Sequence, residues 1–461
     1  MSILIKNGRV ITAEKEFISD IYIEKETISN IGLNINRNAD KVIDASGKFV
    51  IPGGIDAHTH LDMPLGNIST SDDFETGTKA AAFGGTTTII DFATPSKGMR
   101  LREAFEIWQR KAEGKSCIDY GFHMIIVELN DKILAEMDSL VNDGITSFKL
   151  FMAYPNVLMV NDETILKAMQ KTSDNGGLIC LHAEDGIKID ENVKEALREN
   201  KTSPVYHALT RPPSTEAEAV GRAVKLAEKA KVPVYIVHVS SFDALERIII
   251  ARDSGIPIFA ETCPHYLFLS IDDLNRSGFE GAKYVLSPPL REKWHQEKLW
   301  NGLKKNYLQV VSTDHCSFNF KGQKEIGKND FSKIPNGGPG IENRMELLFD
   351  GGVNRGRISM KRWVEITSTT PAKIFGIYPR KGTIAVGSDA DIVIWDSQYE
   401  HIISSTSHHM AVDYSMYEGF KVTGCADTVI SRGKILIENK KWLDIRGWGQ
   451  YLKRQPFNPN K

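Results

Sequence analysis

The first fifty residues alternate apolar and polar positions in three short runs, ILIKNGRVIT, DIYIEKETISNIG and KVIDASGKFV. Successive side chains of a strand point to opposite faces, so this alternation predicts hairpins of a half-buried sheet, with Asn7-Gly8 as a turn signal. The same texture returns near the end, in GTIAVGSDADIVIWD and DTVISRGKILIENKKW. Two β-rich ends around a different middle point to one small domain assembled from both termini, which commonly lie close together.

The middle has another rhythm. Short apolar runs (GGIDAH, TTTIIDF, GFHMIIV, TSFKLFM, LICLHAE, VYIVHVS, IPIFAETC and LQVVSTDH) alternate with stretches of helical period such as DKILAEMDSLVND, DETILKAMQKTSDNGG and TEAEAVGRAVKLAEKAK. About eight β-α units result, and a parallel barrel is their natural closed arrangement. An open doubly wound sheet alternates in the same way, but no G-x-G-x-x-G follows any of these strands. The expected fold is therefore α/β: a (β/α)8 TIM-type barrel with a smaller β-sandwich domain built from both chain termini. Its expected parts are residues 1–51 (sandwich, first part), 52–378 (barrel), 379–442 (sandwich, second part) and 443–461 (a basic, aromatic tail).

Composition narrows the function more than the fold. The 461 residues carry 57 basic and 59 acidic side chains, so no basic excess is available to grip nucleic acid or anionic lipid. No apolar run reaches the length of a bilayer span, and MSILIKNGRVITAEK lacks the apolar stretch of a signal peptide. Cys117, Cys180, Cys263, Cys316 and Cys425 are scattered, without metal-finger spacing. Free thiols in a reducing cytoplasm are the plain reading.

Several polar residues fall where the predicted barrel strands end. His58 and His60 close the first, Lys149 lies in the fourth, His182 closes the fifth, His238 the sixth and Asp314 the eighth. Active sites of this fold lie at that end. His58-Thr59-His60 sets two imidazoles on one face of a strand, within reach of one ion. Taken alone, such a pair also fits two surface histidines, and a lone strand-end histidine is usually bonded to backbone. Recurrence on three strands, with Asp314, favours a metal site. Lys149 shares the side of Ser147 and Phe151, facing the barrel interior. It is either a lysine that snorkels or pairs with a carboxylate, or a neutral amine converted by carbon dioxide to an anionic carbamate that bridges two metal ions.

Longer motifs run in order along nearly the whole chain: PGGIDAHTHLDMPLG, DDFETGTKAAAFGGTTTIIDF, GITSFKLFMAYPN, YHALTRPP, ETCPHYL, GAKYVLSPPLREKWHQE, STDHCSFNFKGQK, IPNGGPGIE, KGTIAVGSDADIVIWD and HHMAVDYSMYEG. In these the chain resembles the cyclic amidohydrolases of the amidohydrolase superfamily, above all bacterial D-hydantoinases and dihydropyrimidinases. The resemblance implies two divalent ions per subunit, zinc by expectation, although manganese and cobalt also suit such donors. His58, His60, carboxylated Lys149 and Asp314 would hold the more buried ion, and Lys149, His182 and His238 the other, with a hydroxide between them. Tyr154 would hydrogen-bond the developing oxyanion, and the main chain of Ser287 and Asn336 would read the cyclic imide. Asp314 would act as general base and then acid. The implied reaction is hydrolytic ring opening of 5-monosubstituted hydantoins and dihydropyrimidines to N-carbamoyl amino acids, with no redox or nucleotide cofactor. The implied assembly is a homotetramer, with the tail packed on a neighbouring subunit.

Three alternatives are weaker. The dihydroorotase pattern places an arginine two residues after the second histidine to hold a carboxylate, and here that position is Asp62, of the wrong sign. Allantoinase is disfavoured by the Tyr154 segment and by SPPLREKWHQE. A non-catalytic scaffold like the dihydropyrimidinase-related proteins of animal neurons would have lost metal ligands, and the set here is intact. His265, His315 and Cys316 are read as structural. Substrate choice is expected to rest on Leu61–Ser71 and Phe151–Val160, which offer Met63, Leu65, Phe151, Leu158 and Met159.

Overall fold

A computed structural model describes residues 2–458. The two β-rich ends join in one nine-stranded sheet. Ser2–Ile11 pairs with Glu16–Glu24 along one edge, and with Lys41–Asp44 and Phe49–Pro52 on the other. Phe49–Pro52 then pairs with Ile392–Ile402, which links the N-terminal strands to the C-terminal ones. The continuous sheet curls on itself, so Ile3, Ile5, Ile21 and Ile23 share a buried core with Ile392, Ile394 and Ile430. The Asn7-Gly8 turn is a bulge instead. Asn7 has φ 61°, and the register shifts between Ile5 and Gly8 while the strand runs on. A Cβ on Gly8 would meet Val50 Cγ2 at 2.5 Å, so the close approach of the neighbouring strand, not chain reversal, asks for glycine there.

The middle forms eight parallel strands in sequential order: Gly54–Thr59, Thr86–Ala93, Asp119–Ile125, Ser147–Phe151, Leu178–His182, Val234–Ile236, Ile258–Thr262 and Val310–Val311. The helices expected from periodicity occupy Asp131–Asn142, Asp162–Asn175 and Pro213–Ala230. This is the α/β barrel, nearly closed. At the seam between the eighth strand and the first, side chains supplement a single backbone bridge, His60 N to His315 O at 2.8 Å. The Arg344 guanidinium donates to Ile55 O (3.0 Å) and Val311 O (2.9 Å), and Thr313 donates to Asp56 through N (3.0 Å) and Oγ1 (2.6 Å).

The sixth and eighth strands are shorter than expected. His238 and Asp314 lie just past them, at φ 39° and 50°, where left-handed backbone ends strand pairing. The tail runs against its own barrel: Tyr120 N donates to Gln450 O (3.0 Å), Leu452 N to Tyr120 O (2.7 Å) and Phe457 N to Gly176 O (2.9 Å). Barrel and sheet are also joined by buried charge. Lys381 Nζ lies 2.6 Å from Asp119 and 2.7 Å from Asp391, and Arg432 pairs with Asp119 at 2.9 Å.

Candidate metal centre

The strand ends converge on a cavity of about 580 Å³ at the C-terminal mouth of the barrel. His60, Lys149, His182, His238 and Asp314 line it, together with Tyr154, Ser287 and Asn336. His58 lies just beneath, fully buried. Ligand atoms of His58, His238 and Asp314 lie within 4.8 Å of one another. His58 Nε2 is 3.1 Å and His60 Nε2 3.3 Å from the same oxygen, Asp314 Oδ1. Lys149 Nζ is 3.0 Å from His58 Nε2, and His182 Nδ1 is 2.9 Å from His238 Nε2.

Two of the four imidazoles, His58 and His182, are held from behind by carboxylates. His58 Nδ1 bonds Glu261, whose other oxygen accepts the Tyr235 hydroxyl at 2.8 Å. His182 Nε2 bonds Glu184 at 2.8 Å. Asp91 accepts Thr59 Oγ1 (2.7 Å) and Leu61 N (2.8 Å), which braces the His58-His60 strand end. Carboxylates that orient the far nitrogen of an imidazole fix its tautomer and raise its basicity toward an ion. Burial pushes His60 down to about 4 and His238 well below the usual imidazole range, so both offer a neutral ring. Burial likewise lowers the Lys149 amine, which has no carboxylate ion pair among the described residues. Four imidazoles, a carboxylate and a lysine, gathered in one place with two of the rings held by carboxylates, fit a divalent metal centre.

Tyr154 stands beside this cluster, its ring 5.4 Å from that of His182. The amides of Val157, Leu158 and Met159 all donate to Tyr154 O at 3.1 Å, a tight loop that holds the residue at φ 64°. Burial and nearby Glu184 push its hydroxyl up to about 12, partly offset by hydrogen bonds with Ser287 and Asn336. It is therefore a protonated donor at neutral pH. Tyr154, His238 and Asp314 all occupy left-handed backbone, and strain of about 1–3 kcal/mol per residue commonly gathers at functional sites.

Met63, Leu65, Phe151 and Leu158 form the apolar wall expected of the two loops, and Val157 and Ile326 add to it at the rim. Met159 instead turns toward Gly186. His315 is structural, bonded to Asp72 (3.1 Å) and Gly340 N (3.1 Å), whereas Cys316 reaches the cavity wall. Glu184, Glu261 and Lys324 escaped the sequence reading. A carboxylate in the apolar strand Ile258–Thr262 was the one available signal for Glu261; nothing local tied it to His58, 203 positions away.

The amidohydrolase family profile matches residues 49–436. The chain is 52% identical over 458 residues to a D-hydantoinase of Geobacillus stearothermophilus, covering 99% of this chain and 97% of that one. Among solved structures, a dihydropyrimidinase from Brevibacillus agri NCHU1002 superposes with a TM-score of 0.98 at 52% identity, covering 99% of this chain and 100% of that one. An L-hydantoinase (dihydropyrimidinase) from Arthrobacter aurescens superposes with a TM-score of 0.90 at 30% identity, covering 98% and 99%. The profile spans most of the chain and the relatives match end to end, so the chain belongs to the amidohydrolase family, in its hydantoinase and dihydropyrimidinase branch.

Proposed function

We propose that this metal-dependent hydrolase of cyclic amides opens 5-monosubstituted hydantoins and dihydropyrimidines to N-carbamoyl amino acids, and that carboxylated Lys149 would help to hold two zinc ions for this reaction. His58, His60, Lys149 and Asp314 would hold one ion, and Lys149, His182 and His238 the other. The observation that carries this reading is the convergence of these side chains, from five different strand ends, on one cavity beside Tyr154. Bound divalent ions supply water that ionises near neutral pH and a positive charge beside the scissile carbonyl.

The chain's own residues do the rest. Main-chain groups of Ser287 and Asn336 hold the ring, and Tyr154 donates its hydroxyl to the carbonyl oxygen as negative charge develops there. Asp314 accepts the proton of the attacking water and passes it to the ring nitrogen as the C–N bond breaks, leaving a carboxylate and a ureido group. The apolar wall receives the 5-substituent and sorts it by size. A D preference rests on the 52% identity to a D-hydantoinase; the L-hydantoinase has the same fold, so the fold alone does not set the hand.

Dihydroorotase is disfavoured at Asp62, which is paired with Lys111 at 3.7 Å and offers no cation to a substrate carboxylate. No helix among the described residues is long and apolar enough to cross a membrane. The free cysteines suit a reducing cytoplasm. A homotetramer completes the reading. Metal analysis, with assays on dihydrouracil, D- and L-5-substituted hydantoins, allantoin and dihydroorotate, tests it. Preference for dihydroorotate, or full turnover without metal, would overturn it.

A further inference from the structure

Lys324 is fully buried, on a short turn of 3-10 helix, and has no ion-pair partner among the described residues. Its ammonium is satisfied by backbone alone: Val285 O at 2.8 Å, Pro335 O at 2.9 Å and Gly337 O at 2.6 Å. Three carbonyls match the three N–H of an ammonium, one more than a neutral amine offers. Burial pushes the amine down to about 7, against which these carbonyl dipoles favour the charged form.

The carbonyls belong to the two segments that carry Ser287 and Asn336. A trans peptide is planar, so a C=O held on one side turns the N–H of the same unit to the other. Pro335 O on Lys324 therefore turns Asn336 N–H away from the lysine. Gly337 N donates to Val285 O at 3.0 Å, so Asn336 C=O is turned away from that carbonyl, itself held by Lys324. On the other segment His207 Nε2 bonds Leu286 O at 2.8 Å, which orients Ser287 N–H in the same manner. Ser287, Asn336 and Gly337 all line the cavity. Neither Asn336 N–H nor Ser287 N–H has a hydrogen-bond partner among the described residues.

We infer that Lys324 is a positioning residue for ring recognition: its ammonium clamps Val285, Pro335 and Gly337 so that the main chain at Asn336 and Ser287 presents a rigid frame to the cyclic amide. This rests on the proposed reading of those two residues as the ring-binding groups. A clamp of this kind acts on the ring-binding main chain shared by every substrate and touches none of the metal-binding side chains.

The test compares wild type, Lys324→Met and Lys324→Gln on unsubstituted hydantoin and on 5-phenylhydantoin, with metal content measured in each. Lys324→Met should raise KM by about ten- to a hundredfold, the scale of lost hydrogen bonds to a charged group, by a similar factor on both substrates. Metal content should hold and kcat should fall less than about fivefold. Lys324→Gln, which keeps two donors, should lie between. An unmoved KM overturns the proposal. So does a loss confined to kcat, to the phenyl substrate or to metal content, or insolubility of both variants, which would make Lys324 a folding residue. A wild type that opens neither ring overturns the reading of the site and this proposal with it, whereas an active wild type with an unmoved Lys324→Met removes the proposal alone.

Discussion

Glu184 Oε2 lies 2.8 Å from His182 Nε2, which leaves Nδ1 as the nitrogen that faces the cavity, 2.9 Å from His238 Nε2. Replacing this carboxylate by an amide keeps the size and removes the charge that orients and enriches the imidazole. Glu184→Gln should weaken metal retention by about ten- to a hundredfold, the usual scale for such a partner. Metal content after dialysis against graded chelator checks this, and retention equal to wild type would show that His182 needs no carboxylate behind it.

Lys149 Nζ sits 3.0 Å from His58 Nε2, buried and with no carboxylate ion pair among the described residues, a poor place for a bare ammonium beside dications. Lys149→Ala should lose both metal and turnover. A short carboxylic acid in the buffer should restore a small part of each by replacing the bridging carbamate. A variant with full metal content and full rate would sink the bridge.

For Tyr154, pushed up to about 12 by burial, the hydroxyl remains a donor across the working pH range. Tyr154→Phe should lower kcat by about tenfold to a thousandfold, the scale of one lost oxyanion donor. KM and thermal stability should change little. An unaltered kcat would take Tyr154 out of the mechanism.

Leu65 and Leu158 line the apolar wall, and Leu65 is 43% exposed at its edge. Exchanging either for alanine should reorder bulky against small 5-substituted hydantoins, with modest changes per methylene, while metal content stays constant. Equal scaling of every substrate would place discrimination elsewhere.

The small sheet carries a pH-dependent tie. Asp427 bonds Lys48 at 2.9 Å and Lys440 at 3.1 Å. Burial pushes its carboxyl up, but the two lysines outweigh this and hold it below the usual range. A depressed carboxyl stabilises the fold above its ordinary value of about 3.9, and this is lost as pH falls through the lower folded value. Asp427→Asn should therefore cost about 1 kcal/mol at neutral pH. In paired thermal melts the gap from wild type should narrow as pH falls through the lowered folded value; a gap that stayed constant into strong acid would assign the tie to uncharged hydrogen bonds.

What the chain determined by itself is what depends on neighbours in sequence. Period-two alternation marked the strands, helical period marked Asp131–Asn142 and Pro213–Ala230, and His58-Thr59-His60 put two imidazoles on one strand face. The strand order followed, because eight parallel units joined by helices have few closed arrangements. Features whose partners lie far along the chain were decided only by the tertiary structure. Asn7-Gly8 became a bulge because Val50 packs against Gly8. His58 found Glu261 across the barrel, and Arg344 closed the seam through carbonyls that carry no sequence signal. Lys324 is the clearest case: its partners are three backbone oxygens, which every residue possesses, so only folding selects which three they are.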